Sequence, residues 1–157
     1  ANLFGSGNQL AFGYVPDGLY VPGGGVQLTT AWNINTAVEH WWLPNLHTSL
    51  YYAMSNVSYN DQVKSGFWFC GGVPGGSNTR FQAANCNPDW SAWEVGSRTQ
   101  WEPVPNLELG LDVFYTAVNT AFSGTASLVA VGARPAGIYN VSDQGIVSTT
   151  FRVRKTF

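Results

Sequence analysis

Between Val26 and Trp42 the chain alternates in character. Val26, Leu28, Thr30, Trp32, Ile34, Thr36, Val38 and Trp42 fall on one side of an extended strand; Gln27, Thr29, Asn33, Asn35 and Glu39 fall on the other. Successive strand side chains point to opposite faces, so this segment is a ribbon with one apolar and one polar surface. Its 17 residues far exceed the usual strand of about 5–6 residues. Residues 145–157 repeat the pattern. Val147, Thr149, Phe151, Val153 and Phe157 lie opposite Ile146, Ser148, Thr150, Arg152, Arg154 and Thr156. An exposed Phe is a poor ending for a soluble sandwich, whereas a strand closing a barrel in lipid seats such a ring at the membrane interface. A strand-built membrane wall is therefore the reading to test.

The same period of two marks four further segments, and no helical period is evident. Strands are predicted near residues 9–15, 26–42, 46–60, 90–102, 107–118 and 145–157, treated together as a single domain. Leu46, Thr48, Leu50, Tyr52 and Met54 oppose His47, Ser49 and Ser55. Trp93, Val95, Ser97, Thr99 and Trp101 oppose Glu94, Gly96, Arg98, Gln100 and Glu102. Leu107, Leu109, Leu111, Val113, Tyr115 and Ala117 oppose Glu108, Gly110, Asp112 and Thr116. Tight turns are expected at Leu43-Pro44-Asn45 and Pro103-Val104-Pro105-Asn106, and long irregular stretches at 61–88 and 119–143. Short turns alternating with long loops fit an antiparallel up-and-down transmembrane β-barrel, with turns at one rim and loops at the other. A Greek-key sandwich does not segregate its connections in this way.

Composition agrees with a wall rather than a globule. A tenth of the residues are charged, 15% are aromatic, and there are 18 glycines. No apolar run approaches the ~20 residues of a spanning helix. A net charge of −2 with scattered basic residues argues against a nucleic-acid partner. Cys70 and Cys86 bracket a Gly/Asn/Pro-rich loop, which suits a disulfide in an oxidising compartment, with two free thiols as the other reading. Their spacing and the remote His40 and His47 do not make a zinc site. The opening Ala1-Asn2-Leu3 lacks Met and a basic leader, as in a processed chain or part of a longer polypeptide.

The charges sort by face. Glu39, Glu94, Arg98, Glu102, Glu108, Asp112, Arg152 and Arg154 all point away from the apolar side. A basic residue facing the bilayer midplane costs about 2–4 kcal/mol, which gives the sorting a physical cause. Lys155 is the exception, placed where snorkelling to the interface is cheap. On this reading the eight charges line a lumen, with Arg98 and Asp112 on adjacent strands facing each other. They serve equally as solvated wall residues. Trp42, Trp101 and Phe157 then lie near the short turns as interface aromatics. Glu94, Glu102, Glu108 and Asp112 make a poor case for a glycosidase-type dyad, because carboxylates are common on any polar strand face. Asn85, Asn87 and Asp89 have no recognised calcium spacing. No catalytic residue, metal or cofactor is expected.

Gly25-Val-Gln-Leu-Thr-Thr-Ala-Trp32, Glu39-His40-Trp41-Trp42 before Pro44, Gly96-Ser-Arg-Thr-Gln-Trp101, Val131-Gly-Ala-Arg-Pro-Ala136 and the ending Phe151-Arg-Val-Arg-Lys-Thr-Phe157 resemble the general outer-membrane porins of alphaproteobacteria, the Rhizobiales type. The resemblance spans nearly the whole chain. It implies a trimeric barrel of sixteen strands, each protomer enclosing an aqueous channel for passive diffusion of small hydrophilic solutes and ions, integral to the bacterial outer membrane. It further implies contact with outer-membrane lipid and lipopolysaccharide, and delivery by the barrel-assembly machinery through the C-terminal strand with Phe157 as its signal. About six strands are too few to close a wet lumen, so the chain reads as a C-terminal portion of such a barrel. The rival is a secreted β-sandwich carbohydrate-binding module, in which Trp and Tyr stack on sugars.

Overall fold

A computed structural model describes residues 2–4, 9–66, 81–85, 87–130, 132 and 134–156. Cys70, Cys86 and Phe157 lie outside the described residues. The described chain is all-β apart from one short helix. It forms two compact units. One comprises 1–32, 56–91 and 118–144; the other comprises 33–55, 92–117 and 145–157.

Five long strands form one sheet. They are β5 (Thr30–Leu43), β6 (Leu46–Ser58), β8 (Trp90–Val104), β9 (Leu107–Thr120) and β12 (Gln144–Lys155), in the order β12-β9-β8-β6-β5. Each long strand therefore lies beside the next long strand in the sequence, as in a meander. Side-chain pairs show the direction. Glu94 bonds Thr116, and further along β8 Arg98 bonds Asp112, so β8 ascends as β9 descends. Two asparagines tie the tight turns to the next strand. The Asn45 carbonyl accepts the Glu102 amide at 2.9 Å, and its side-chain amide donates to the Glu102 carbonyl at 2.9 Å. The Asn106 carbonyl accepts the Thr156 amide at 3.0 Å. Asn106 also takes a φ of 67°, a left-handed conformation that asparagine tolerates better than most residues.

The alternation decides the faces. Every residue of β5 is exposed. Val38 is 69% exposed, Leu50 59% and Phe151 67%, although all three belong to the apolar side predicted for their strands. In water, leaving a Val or Leu side chain exposed forgoes about 1.5–3 kcal/mol. A row of them across neighbouring strands is a surface made to be covered.

The other unit carries a small core and a second sheet. β1 (Asn2–Phe4), β2 (Gln9–Gly13), β11 (Gly137–Val141), β10 (Ser123–Leu128) and β7 (Phe81–Asn85) are hydrogen-bonded in that order. β2 and β11 run parallel, with Gln9 opposite Asn140 and Leu10 opposite Val141. β3 (Gly18–Val21) and β4 (Gly25–Leu28) form a separate hairpin. Helix α1 (Asp61–Gly66) is capped by Asn60, whose side-chain oxygen accepts the Val63 amide at 3.0 Å. Leu10, Val57, Tyr59, Val63, Phe122, Ala126, Tyr139 and Val141 are buried together.

Three expectations change here. The strand predicted over 26–42 is two strands, broken at Thr29, whose amide donates to the Asp17 carbonyl at 3.2 Å. Alternation continues through the break, so the pattern does not reveal it. The segment predicted over 9–15 ends at Gly13 and pairs with β1 and β11 rather than with the long sheet. The stretches read as irregular contain α1, β7, β10 and β11, each of six residues or fewer.

Tyr59 follows β6 and donates its hydroxyl to the Tyr14 carbonyl, which also accepts the Trp90 indole N–H at 2.9 Å. Burial pushes the Tyr59 phenol up to about 12, with Tyr14 and Asp89 adding to the rise. The neutral phenol is the form the fold favours. Its contribution to stability is thus complete below the ordinary tyrosine value of 10.0 and lost as pH rises through about 12. An alkaline titration followed by tyrosinate absorbance is expected to show Tyr59 within the late-ionising fraction, together with loosening of this unit. In Tyr59→Phe that late fraction shrinks by one tyrosine and the loosening no longer follows it.

Candidate functional site

The polar face of the long sheet gathers most of the charges predicted to lie there. Arg98 of β8 donates Nε and Nη2 to Asp112 Oδ2 of β9 at 2.9 and 2.6 Å. The Tyr51 hydroxyl of β6 donates to Asp112 Oδ1 at 2.7 Å. Glu94 accepts the Thr116 hydroxyl at 2.8 Å. Glu39 of β5 accepts the Ser49 hydroxyl at 3.2 Å and lies 3.5 Å from His47 Nε2. His47 Nε2 also lies 3.3 Å from Gln100 Oε1, and the His47 ring stacks on Trp41 at 4.2 Å. Glu108 and Arg152 join Arg98 and Asp112 around a second hollow beside Gly110. Glu102 and Arg154 are exposed toward the turn ends of β8 and β12.

Tyr51, Ser49, Glu94, Arg98, Gln100 and Asp112 line an open hollow of about 460 Å³. Two carboxylates, Glu94 and Asp112, and one guanidinium, Arg98, share this open surface, so both signs of charge face it. Its hydrogen bonds fix side chains in place, as where the Ser49 hydroxyl is held by Glu39.

On the apolar face Trp42 is exposed near the Pro44-Asn45 turn and donates its indole N–H to Thr48 Oγ1 at 3.0 Å. Thr48 and Thr99 share a hydrogen bond of 3.0 Å. Trp101 is exposed near the other turn. Trp93 and Tyr115 pack at 5.2 Å on the same face. Asp89, one of the three oxygen-bearing residues between 85 and 89, is taken by Lys64 Nζ at 2.6 Å and by the Tyr59 amide at 2.8 Å.

Sequence reasoning did not single out Tyr51. An aromatic residue between Leu50 and Tyr52 carries no mark of a polar role. The available signal was Gly96, where an added Cβ would collide with the Tyr51 ring. Recognising it requires the register between β6 and β8. Trp41, beside Trp42 in the chain, turns to the polar side and packs on His47.

A protein-family model described as the porin subfamily matches residues 8–150. The chain belongs to the porin subfamily. The match covers nearly all of both units, so neither falls outside the porin assignment. No curated protein and no solved structure matches the chain. Porin membership accounts for strands that are long, apolar on one side and charged on the other. It also fits an all-β chain in which, among the described residues, no helix is long and apolar enough to cross a membrane.

Proposed function

We propose that this porin chain forms part of a passive diffusion channel for small hydrophilic solutes and ions across a bacterial outer membrane of the Rhizobiales type. One observation carries the reading: the long sheet sorts its charges onto one face while its apolar face stays exposed. A sandwich module would need protein over that apolar face, and is disfavoured for that reason.

In this reading lipid and lipopolysaccharide cover Val38, Leu50, Val113 and Phe151. Glu39, Glu94, Arg98, Glu102, Glu108, Asp112, Arg152 and Arg154 face the water of the lumen. Trp42 and Trp101 sit at the lipid–water interface, where amphipathic rings are favoured. Hydrocarbon does not tolerate the unpaired outer edges of β5 and β12, so further strands complete the wall, as in a sixteen-stranded barrel. The channel works as a homotrimer, and the terminal strand with Phe157 engages the barrel-assembly machinery. Transport needs no cofactor and no catalytic step.

Planar-bilayer recording of the full-length protein tests this. Discrete conductance steps are expected, together with heat-dependent gel mobility of a folded trimer in detergent. A protein that stays soluble in buffer without detergent and leaves the bilayer silent would refute the proposal.

A further inference from the structure

We infer that Tyr51 helps set the ion preference of the wall by covering the Asp112 carboxylate, so that the Arg98–Asp112 pair presents its cationic end to solutes. This rests on the channel reading above. Both oxygens of Asp112 are claimed: Oδ2 by Arg98 Nε and Nη2, and Oδ1 by the Tyr51 hydroxyl at 2.7 Å. The two ends of the pair are unequally open. The Asp112 side chain is 13% exposed and that of Arg98 43%. The pair is neutral as a whole, but at short range the nearer charge dominates, because Coulomb energy falls with distance. A solute at the wall therefore meets guanidinium before carboxylate.

Gly96 makes this reach feasible. Tyr51 stands on β6 and Asp112 on β9, with β8 between them in the sheet. The phenol must cross β8, and it does so over a residue without a side chain. A Cβ at position 96 would collide with Cζ and the hydroxyl of Tyr51 and stand 2.7 Å from the Phe114 Cβ. The nearby carboxylate of Glu94 is held separately by Thr116 at 2.8 Å, and does not compete for the phenol. Tyr51 is thus a positioning residue whose one polar atom decides whether Asp112 Oδ1 faces a neighbour or water.

The test is the reversal potential of the full-length protein in a planar bilayer under a potassium chloride gradient. Tyr51→Phe keeps the ring and removes the donor, and is expected to raise the cation-to-anion permeability ratio about twofold. Gly96→Ala is expected to shift the ratio the same way by displacing the ring. Asp112→Asn should lower the ratio, and adding Tyr51→Phe to it should change nothing further. A merely structural tyrosine would not lose its effect when the carboxylate is gone. An unchanged ratio in Tyr51→Phe, or an equal shift in the Asp112→Asn background, overturns the role of Tyr51 while the channel stands. A folded wild type that does not conduct overturns both. Should Gly96→Ala fail to fold, the Tyr51→Phe comparison still decides.

Discussion

Val113→Arg is expected to cost about 2–4 kcal/mol when the full-length protein is folded into a bilayer, whereas Thr150→Arg costs under about 1 kcal/mol. Val113 lies near the middle of β9 on the apolar face and is 41% exposed. An arginine there must either leave its charge in hydrocarbon or draw water and headgroups inward. Thr150 lies on β12 beside the hollow where Glu108 and Asp112 accompany Arg98 and Arg152. An added guanidinium at that position stays wet and finds carboxylates of opposite sign. Denaturant titration in liposomes measures both. Equal losses would mean that the two faces have been assigned to the wrong solvents, and a water-soluble fold would show little penalty at Val113.

Phe122→Ala is expected to remove about 3–5 kcal/mol of local stability from the unit that carries the small core. Phe122 is 3% exposed and packs with Leu10, Val57, Val63, Ala126, Tyr139 and Val141. This cluster is small, and the segments it gathers are individually too short to hold themselves. Amide hydrogen exchange in α1, β10 and β11 should accelerate by about two orders of magnitude or more. Exchange in the middle of β8 and β9 should be much less affected. Val129→Ala is the control, because Val129 is 65% exposed and has little packing to lose. Unchanged exchange in Phe122→Ala would mean that the cluster does not hold these segments together.

The long strands are legible in the sequence because alternation needs no partner to be seen. Leu107 through Ala117 reads as a two-faced ribbon whatever lies beside it. The sorting of Arg98 and Asp112 onto the polar side follows from the same count, and adjacency in the meander is enough to suggest their pairing. Everything that depends on register is harder. Tyr51 finds Asp112 only because β6 and β8 are aligned to set Gly96 beneath the ring, and the 31 residues between Ser58 and Trp90 say nothing about that alignment. The short strands fail for another reason. Four to six residues such as Ser123–Leu128 give at most three positions per face, too few to stand out against glycine and asparagine. The six-residue helix α1 is under two turns long, and no amphipathic stripe develops in so short a span.

The side-by-side arrangement of Gln9–Gly13 and Gly137–Val141 has a temporal meaning. The hairpins at Pro44-Asn45 and Pro105-Asn106 close over a few residues and can form as soon as their own segments exist. The parallel ladder joining Leu10 to Val141 cannot begin until nearly the whole intervening chain is in hand, and it bears the entropy of that long closure. The hairpins are therefore the early events of assembly, and the joining of these two distant segments is a late one.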